Sequence, residues 1–277
     1  MAVRVCLKGI AAALAVAALM SGDATRSSAQ AQNAELPTAQ EIVAKYDVAL
    51  GGEAAIRRHT SETMRGTVDA LMPGGRVTMP FVYYAAAPDL RVEKTTLPRN
   101  QGQVLTGFDG QIAWGLDPQA GPTIATGNDR ESVRRDADFY YPLDELTWFR
   151  SMQTVSVENF EGQRCYRLHG VSNWGEPNDQ FYNVETGLLA GYEFTANAPN
   201  GPALMHEIFT EYKPVDGVQV PMRQEIKFKP QRGGGWQVGQ TQKFTEITFN
   251  DVDPSVFTPP AAVKNLAAMN GARGSGR

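Results

Sequence analysis

At 277 residues, with 26 basic and 30 acidic side chains, the chain carries a net charge of −4, and 42% of it is hydrophobic. An acidic balance excludes nucleic acid and anionic lipid surfaces as partners held by charge. The length is ample for one core, since a chain of this size hides roughly 70–75% of its unfolded surface.

Arg4 and Lys8 precede an apolar run from Gly9 to Met20, and a polar stretch then ends in Ala29-Gln30-Ala31. A charged head, a short apolar run and a small-x-small end predict a secretory signal peptide over residues 1–31. The run is too short to span a bilayer. The remaining chain is therefore expected to be exported and soluble, with no transmembrane segment. Cys6 lies before the apolar run, so it is not the lipid-accepting cysteine of a bacterial lipoprotein. Without the leader, 23 basic and 29 acidic residues remain, a net charge of −6. Cys165 is then the single cysteine, which excludes an internal disulfide and leaves stability to the core.

Residues 32–37 form a tether. Thr38 caps a helix and Glu41, three residues on, completes a capping box. Ile42, Val43, Tyr46 and Leu50 share one stripe of that helix, and Gly51-Gly52 ends it. A second short helix follows from Glu53 to His59. Strands then begin. Met64, Val68 and Ala70 alternate with Arg65, Thr67 and Asp69. A strand from Arg76 to Tyr83 is apolar at every second position. Leu90–Lys94 comes next, and Val104–Phe108 and Ile112–Leu116 are joined at Asp109-Gly110 by a tight antiparallel turn.

Residues 127–140 break the rhythm. Cap residues and weak β-propensity from Asn128 to Asp136 predict a helix, with a further helical piece over Leu143–Met152; together they form a lid across the sheet. Strands resume at 154–160, 164–171, 180–184, 188–196, 203–212, 219–229 and 236–249, with turns at Gly162, Gly187 and Gly217. The pattern predicts a mostly β, α+β chain with few helices. One domain spans 32–262, and residues 263–277 are expected to be a flexible tail.

None of His59, His169 and His206 has metal-ligand spacing, so neither a metal nor a cofactor is expected. His206 and Glu207 point to opposite faces of a strand. Cys165 and His169 share a face but lie ~13 Å apart along it, too far for direct proton transfer. The chain contains no nucleophile elbow, phosphate-cradling loop or dinucleotide fingerprint. Arg134, Arg135, Asp136 and Asp138 make a dense charged patch on the lid, readable as a latch or as a solvated helix face. Met64, Val68, Met79, Phe81, Tyr83, Val92, Trp114, Leu168, Met205 and Met222 are assigned to one greasy face. With so few helices to cover it, that face is expected to line a hydrophobic hollow, where methionine adapts well to varied ligands.

Several segments carry a family resemblance: Ala87-Pro88-Asp89-Leu90, then Gly107-Phe108-Asp109-Gly110-Gln111-Ile112-Ala113-Trp114, Asp117-Pro118, and Phe257-Thr258-Pro259-Pro260. In these the chain resembles the periplasmic lipoprotein carrier superfamily (LolA/LolB-like). Ala49-Leu50-Gly51-Gly52-Glu53 and Arg135-Asp136-Ala137-Asp138-Phe139 are similar to its uncharacterised outer-membrane lipoprotein-sorting-like members. The resemblance implies a strongly curved antiparallel open half-barrel. An N-terminal helix and a helical insert would cover its concave face, over a hollow that holds acyl chains or other lipids. One position departs: lipoprotein-delivering carriers have an arginine just before the proline of the Pro-Asp/Asn-Leu segment, and here it is Ala87.

The function expected first is a periplasmic carrier or sensor of a lipid, a lipoprotein acyl chain or another hydrophobic molecule, with envelope donor and acceptor proteins as possible partners. The second is an enzyme on the same scaffold, using residues such as Glu207, Asp179 or His169. The third is an envelope interaction module that pairs through a sheet edge.

Overall fold

A computed structural model describes residues 36–274 apart from 73, 199–200 and 230–233, so the expected leader lies outside the described residues. Helix α1 (Ala39–Leu50) starts as its sequence requires. The Thr38 hydroxyl accepts from the Glu41 amide at 3.2 Å, and the Glu41 carboxylate accepts from the Thr38 amide at 2.8 Å. Ala39, Ile42, Val43, Tyr46 and Leu50 are its buried stripe. Gly51 ends it at φ 128°, where a Cβ would sit 2.2 Å from the Gly217 carbonyl, so no other residue fits against that turn. Helix α2 (Glu53–Arg57) follows.

Thirteen strands then form one antiparallel sheet. The first block is β1 (Ser61–Met72), β2 (Gly75–Ala86), β3 (Leu90–Thr96), β4 (Gln103–Asp109), β5 (Ala113–Asp117) and β6 (Gly121–Ala125). The second is β7 (Phe149–Phe160), β8 (Gln163–Ser172), β9 (Pro177–Asn183), β10 (Leu189–Ala198), β11 (Gly201–Val215), β12 (Val218–Lys229) and β13 (Gln237–Phe249). Each block is a meander of sequential neighbours, and the pairing of β1 with β13 welds the two. The free edges are therefore β6 and β7. The chain between them, α3 (Gly127–Ala137), α4 (Tyr141–Asp144) and a 3-10 turn (Glu145–Trp148), has to run from one edge of the sheet to the other.

The sheet is open and strongly curved. Helix α1 touches both β12 and β7, which stand five strands apart. On a flat sheet that separation is ~24 Å, far more than a helix ~10 Å wide can bridge, so the strands curl around it. One continuous apolar cluster fills the concave side, from Met79 on β2 through Met64, Phe244 and Phe209 to Leu168 on β8 and Tyr46 on α1.

Several sequence expectations change. The helical piece expected over Leu143–Met152 stops at Trp148, because Phe149 onward pairs with β8. An additional strand, β6, contains Pro122; as an edge strand it can lack that ladder donor. Helix α5 (Ala261–Gly274) takes in most of the tail expected to be flexible over 263–277, and its Val263 is fully buried. Helix α5 and a 3-10 turn (Pro254–Phe257) pack on the convex face of β3–β6, where Phe257 and Val263 meet Val92 and Trp114. Val92 and Trp114 are thereby removed from the expected hollow. Val92 pairs with Tyr84 and not with Tyr83, so it faces outward, and Trp114 lies over Gly107 on that same outer side.

Candidate functional site: the concave wall and its cover

The other eight residues assigned to the greasy face lie on the concave side. Register fixes this. Met64 stands opposite Tyr83, Gly66 opposite Phe81, and Val68 opposite Met79. These side chains share one cluster with Leu168, and half-buried Met222 packs against it. Met205 has the same facing as Phe209, two positions along β11, but joins a neighbouring cluster with Phe194, Ile226 and Phe228.

The wall is not uniformly apolar. Gln224 and Gln242 face each other across β12 and β13, in a row that runs Phe209, Gln224, Gln242, Val68, Met79. Both glutamines are buried, and the Gln224 amide donates to Glu207 on β11. Glu62, at the start of β1, is completely buried with neither carboxylate oxygen hydrogen-bonded. Burial pushes its carboxyl up to about 7.

The insert is fastened over this wall at four points. Near β3, the guanidinium of Arg91 pairs with Glu93 and lies 3.9 Å from Asp136 on α3. Against the effect of burial, these carboxylates hold Arg91 firmly protonated. Near β1, the Tyr140 hydroxyl donates to the His59 carbonyl at 3.0 Å. At β9, Glu145 accepts from the Tyr141 and Tyr182 hydroxyls at 2.7 Å each. Phe139 also donates its amide to the Pro88 carbonyl at 2.9 Å, tying the insert to the β2–β3 turn.

The four lid residues singled out in the sequence divide. Asp136 is buried between Arg91 and Arg135. Asp138 accepts from the Trp148 indole at 2.8 Å and from the Tyr140 amide at 3.1 Å, which shapes the turn after α3. Arg135 bonds Asp136 and stacks over Trp174. Arg134 reaches Glu131 and Trp148 while remaining nearly half exposed, the solvated-face behaviour. Sequence reasoning missed Arg91, Glu145 and Tyr182 as fasteners. The signal available was a strand, Arg91-Val92-Glu93, with charges on the face opposite its apolar one.

The residues named for an enzyme do not converge in the hollow. His169 and Asp179 pair at 2.6 Å on the outer wall, with Arg167 at 2.5 Å from Asp179, while Glu207 faces inward. His206 is also outside, bridging Glu161 at 2.8 Å and Glu193 at 2.9 Å beside a cleft of about 430 Å³ that includes Trp236 and Phe160. Against the effect of burial, Lys227 and His206 hold Glu161 below its usual range. The cleft's ionisable groups thus largely satisfy one another. Cys165 is buried against Phe160 and Phe181, and burial pushes its thiol up to about 11. Among the described residues no cluster of three or more His, Cys, Asp or Glu could hold a metal ion, and no helix is long and apolar enough to cross a membrane.

The sequence matches no protein-family model and no curated protein. The fold does match solved structures. A LolA superfamily protein from Nitrosomonas europaea aligns at TM-score 0.54 and 14% identity, over 81% of this chain and 99% of that one. A DUF1329 family protein from Desulfovibrio piger aligns at 0.55 and 14%, over 80% and 98%. An outer membrane lipoprotein-sorting protein domain from Vibrio parahaemolyticus aligns at 0.55 and 13%, over 82% and 96%. The chain therefore has the open half-barrel fold of the LolA-like proteins.

Proposed function

On the premise of that fold, we propose that the chain is a periplasmic carrier that holds the acyl portion of a lipid or lipidated molecule between its curled sheet and the α1–insert cover. The observation that carries this reading is the concave face itself. It is one apolar cluster that runs from β2 to β8 and includes Met64, Met79, Phe81, Tyr83, Phe209 and Phe244. Each methylene withdrawn from water there contributes roughly 0.8 kcal/mol, so an acyl chain supplies its own driving force. The fold neighbours, one of them a lipoprotein-sorting domain, support the same class. The signal-peptide pattern of residues 1–31 supports an envelope location.

Loading and release require the cover to part from the wall. The ligand must then bind one state of the cover better than the other, and the fastenings at Arg91, Tyr140 and Glu145 set that balance. Ala87, where lipoprotein-delivering carriers have an arginine, leaves Arg91 as the nearby arginine that reaches the insert. The test is uptake of a fluorescent fatty-acid probe by delipidated protein. Saturable uptake, competed by unlabelled palmitate, is expected; its absence counts against the carrier reading.

A further inference from the structure

The polar stripe on the concave wall says what kind of acyl-bearing molecule fits. Gln224 and Gln242 are neighbours across β12 and β13, and each is only 2% exposed. The Oε1 atom of each has no hydrogen-bond partner. The Gln224 amide nitrogen is committed to Glu207, which leaves that oxygen as the end to be satisfied. On the flanks of the pair lie Phe209 on one side and Val68 and Met79 on the other, all buried and apolar.

A wall built only to hold hydrocarbon gains nothing from two amide groups at its centre. Leucine or methionine fills the same space without burying an unsatisfied acceptor, which lowers stability. Buried acceptors of this kind usually have a partner. Sites that present them to a ligand discriminate strongly against analogues lacking the matching donor.

Resting on the carrier reading above, we infer that the bound molecule carries a hydrogen-bond donor, a hydroxyl or an amide N–H, on or beside its acyl chain, and that Gln224 and Gln242 recognise it. Plain n-alkyl acids are then the poorer ligands of this protein. Hydroxyacyl and N-acyl compounds share the required chemistry.

Competition against a fluorescent fatty-acid probe tests this on delipidated protein, using three ligands of matched chain: palmitic acid, 3-hydroxypalmitic acid and N-palmitoylglycine. At least one donor-bearing ligand is expected to bind tenfold or more tightly than palmitic acid, and which one separates the hydroxyl from the amide source. The Gln224→Met/Gln242→Met double variant, close in shape, is expected to lose the preference, read as the ratio of donor-bearing to palmitic acid affinity within the same variant. Each single variant, expected to lose part of it, serves if the double variant does not fold. Equal affinity for all three ligands in the wild-type protein, or a preference that survives in the variants, overturns the inference while the carrier reading stands. Failure of all three to displace a bound probe, or of the probe to bind, overturns both.

Discussion

Asp136 on the insert lies 3.9 Å from Arg91 in the third strand, and both side chains are almost completely buried. Arg135 and Glu93 complete a four-residue charged cluster, with the Tyr83 ring 5.6 Å from the guanidinium. Buried charges persist only when paired, and removing one partner strands the other. The cluster therefore joins sheet to cover through its mutual dependence more than through any net gain.

Arg91→Met leaves Glu93 and Asp136 without their shared cation and is expected to destabilise the protein by about 3–5 kcal/mol. Arg134→Ala, on the solvated side of the same helix, is expected to change stability by less than about 0.5 kcal/mol. Urea unfolding of the two variants checks the contrast. Equal losses would remove Arg91 from its role in holding the insert.

The buried carboxyl of Glu62 makes stability depend on pH. Its folded pKa of about 7 stands above the ordinary value of 4.5, so between those values the folded chain binds more protons than the unfolded one. Stability contributed by the protonated form is fully present below pH ~4.5 and is lost as pH rises through about 7. Asp47 on α1, where burial pushes the carboxyl up to about 7, adds the same sign. Melting temperature should fall between pH 5 and 7.5, and Glu62→Gln should flatten part of that slope. A variant with the full wild-type slope refutes the assignment to Glu62.

Cys165 is buried, with its thiol pushed up to about 11. A maleimide reagent at pH 8 should leave it untouched in the folded protein and label it in urea. Rapid labelling of the native protein would contradict this placement.

Helix α5 covers Trp114 and Phe257 with Val263. Ending the chain at Pro260 should lower the melting temperature by several degrees, because it bares an apolar patch on β3–β6. No shift would make the helix an idle extension.

Much of this architecture is legible in the residues. The capping box at Thr38 and the stripe ending at Leu50 mark α1 at both ends. Alternation places Met64, Val68, Met79, Phe81 and Tyr83 on one face, and in the folded sheet they share the concave one. Alternation cannot say which face is inside when both are covered. Leu90-Arg91-Val92-Glu93 suggests that Val92 faces inward, yet α5 covers the convex side, and the inward charges find partners on α3 that lie more than 40 residues along the chain. A one-residue difference in facing exchanges every side chain between the two sides, which is why Val92 and Trp114 were displaced. Helix α5 is an alanine-rich segment with no strong apolar stripe, so only its contact with the sheet reveals it. Glu145 and Tyr182 come together only because the insert links the two sheet edges.

The most direct measurement is organic extraction of protein purified from the cell envelope without detergent, followed by mass spectrometry of the extract. An acyl-bearing amphiphile is expected at close to one molecule per chain. An extract free of lipid, from protein that also ignores the fluorescent fatty-acid probe, would contradict the carrier reading.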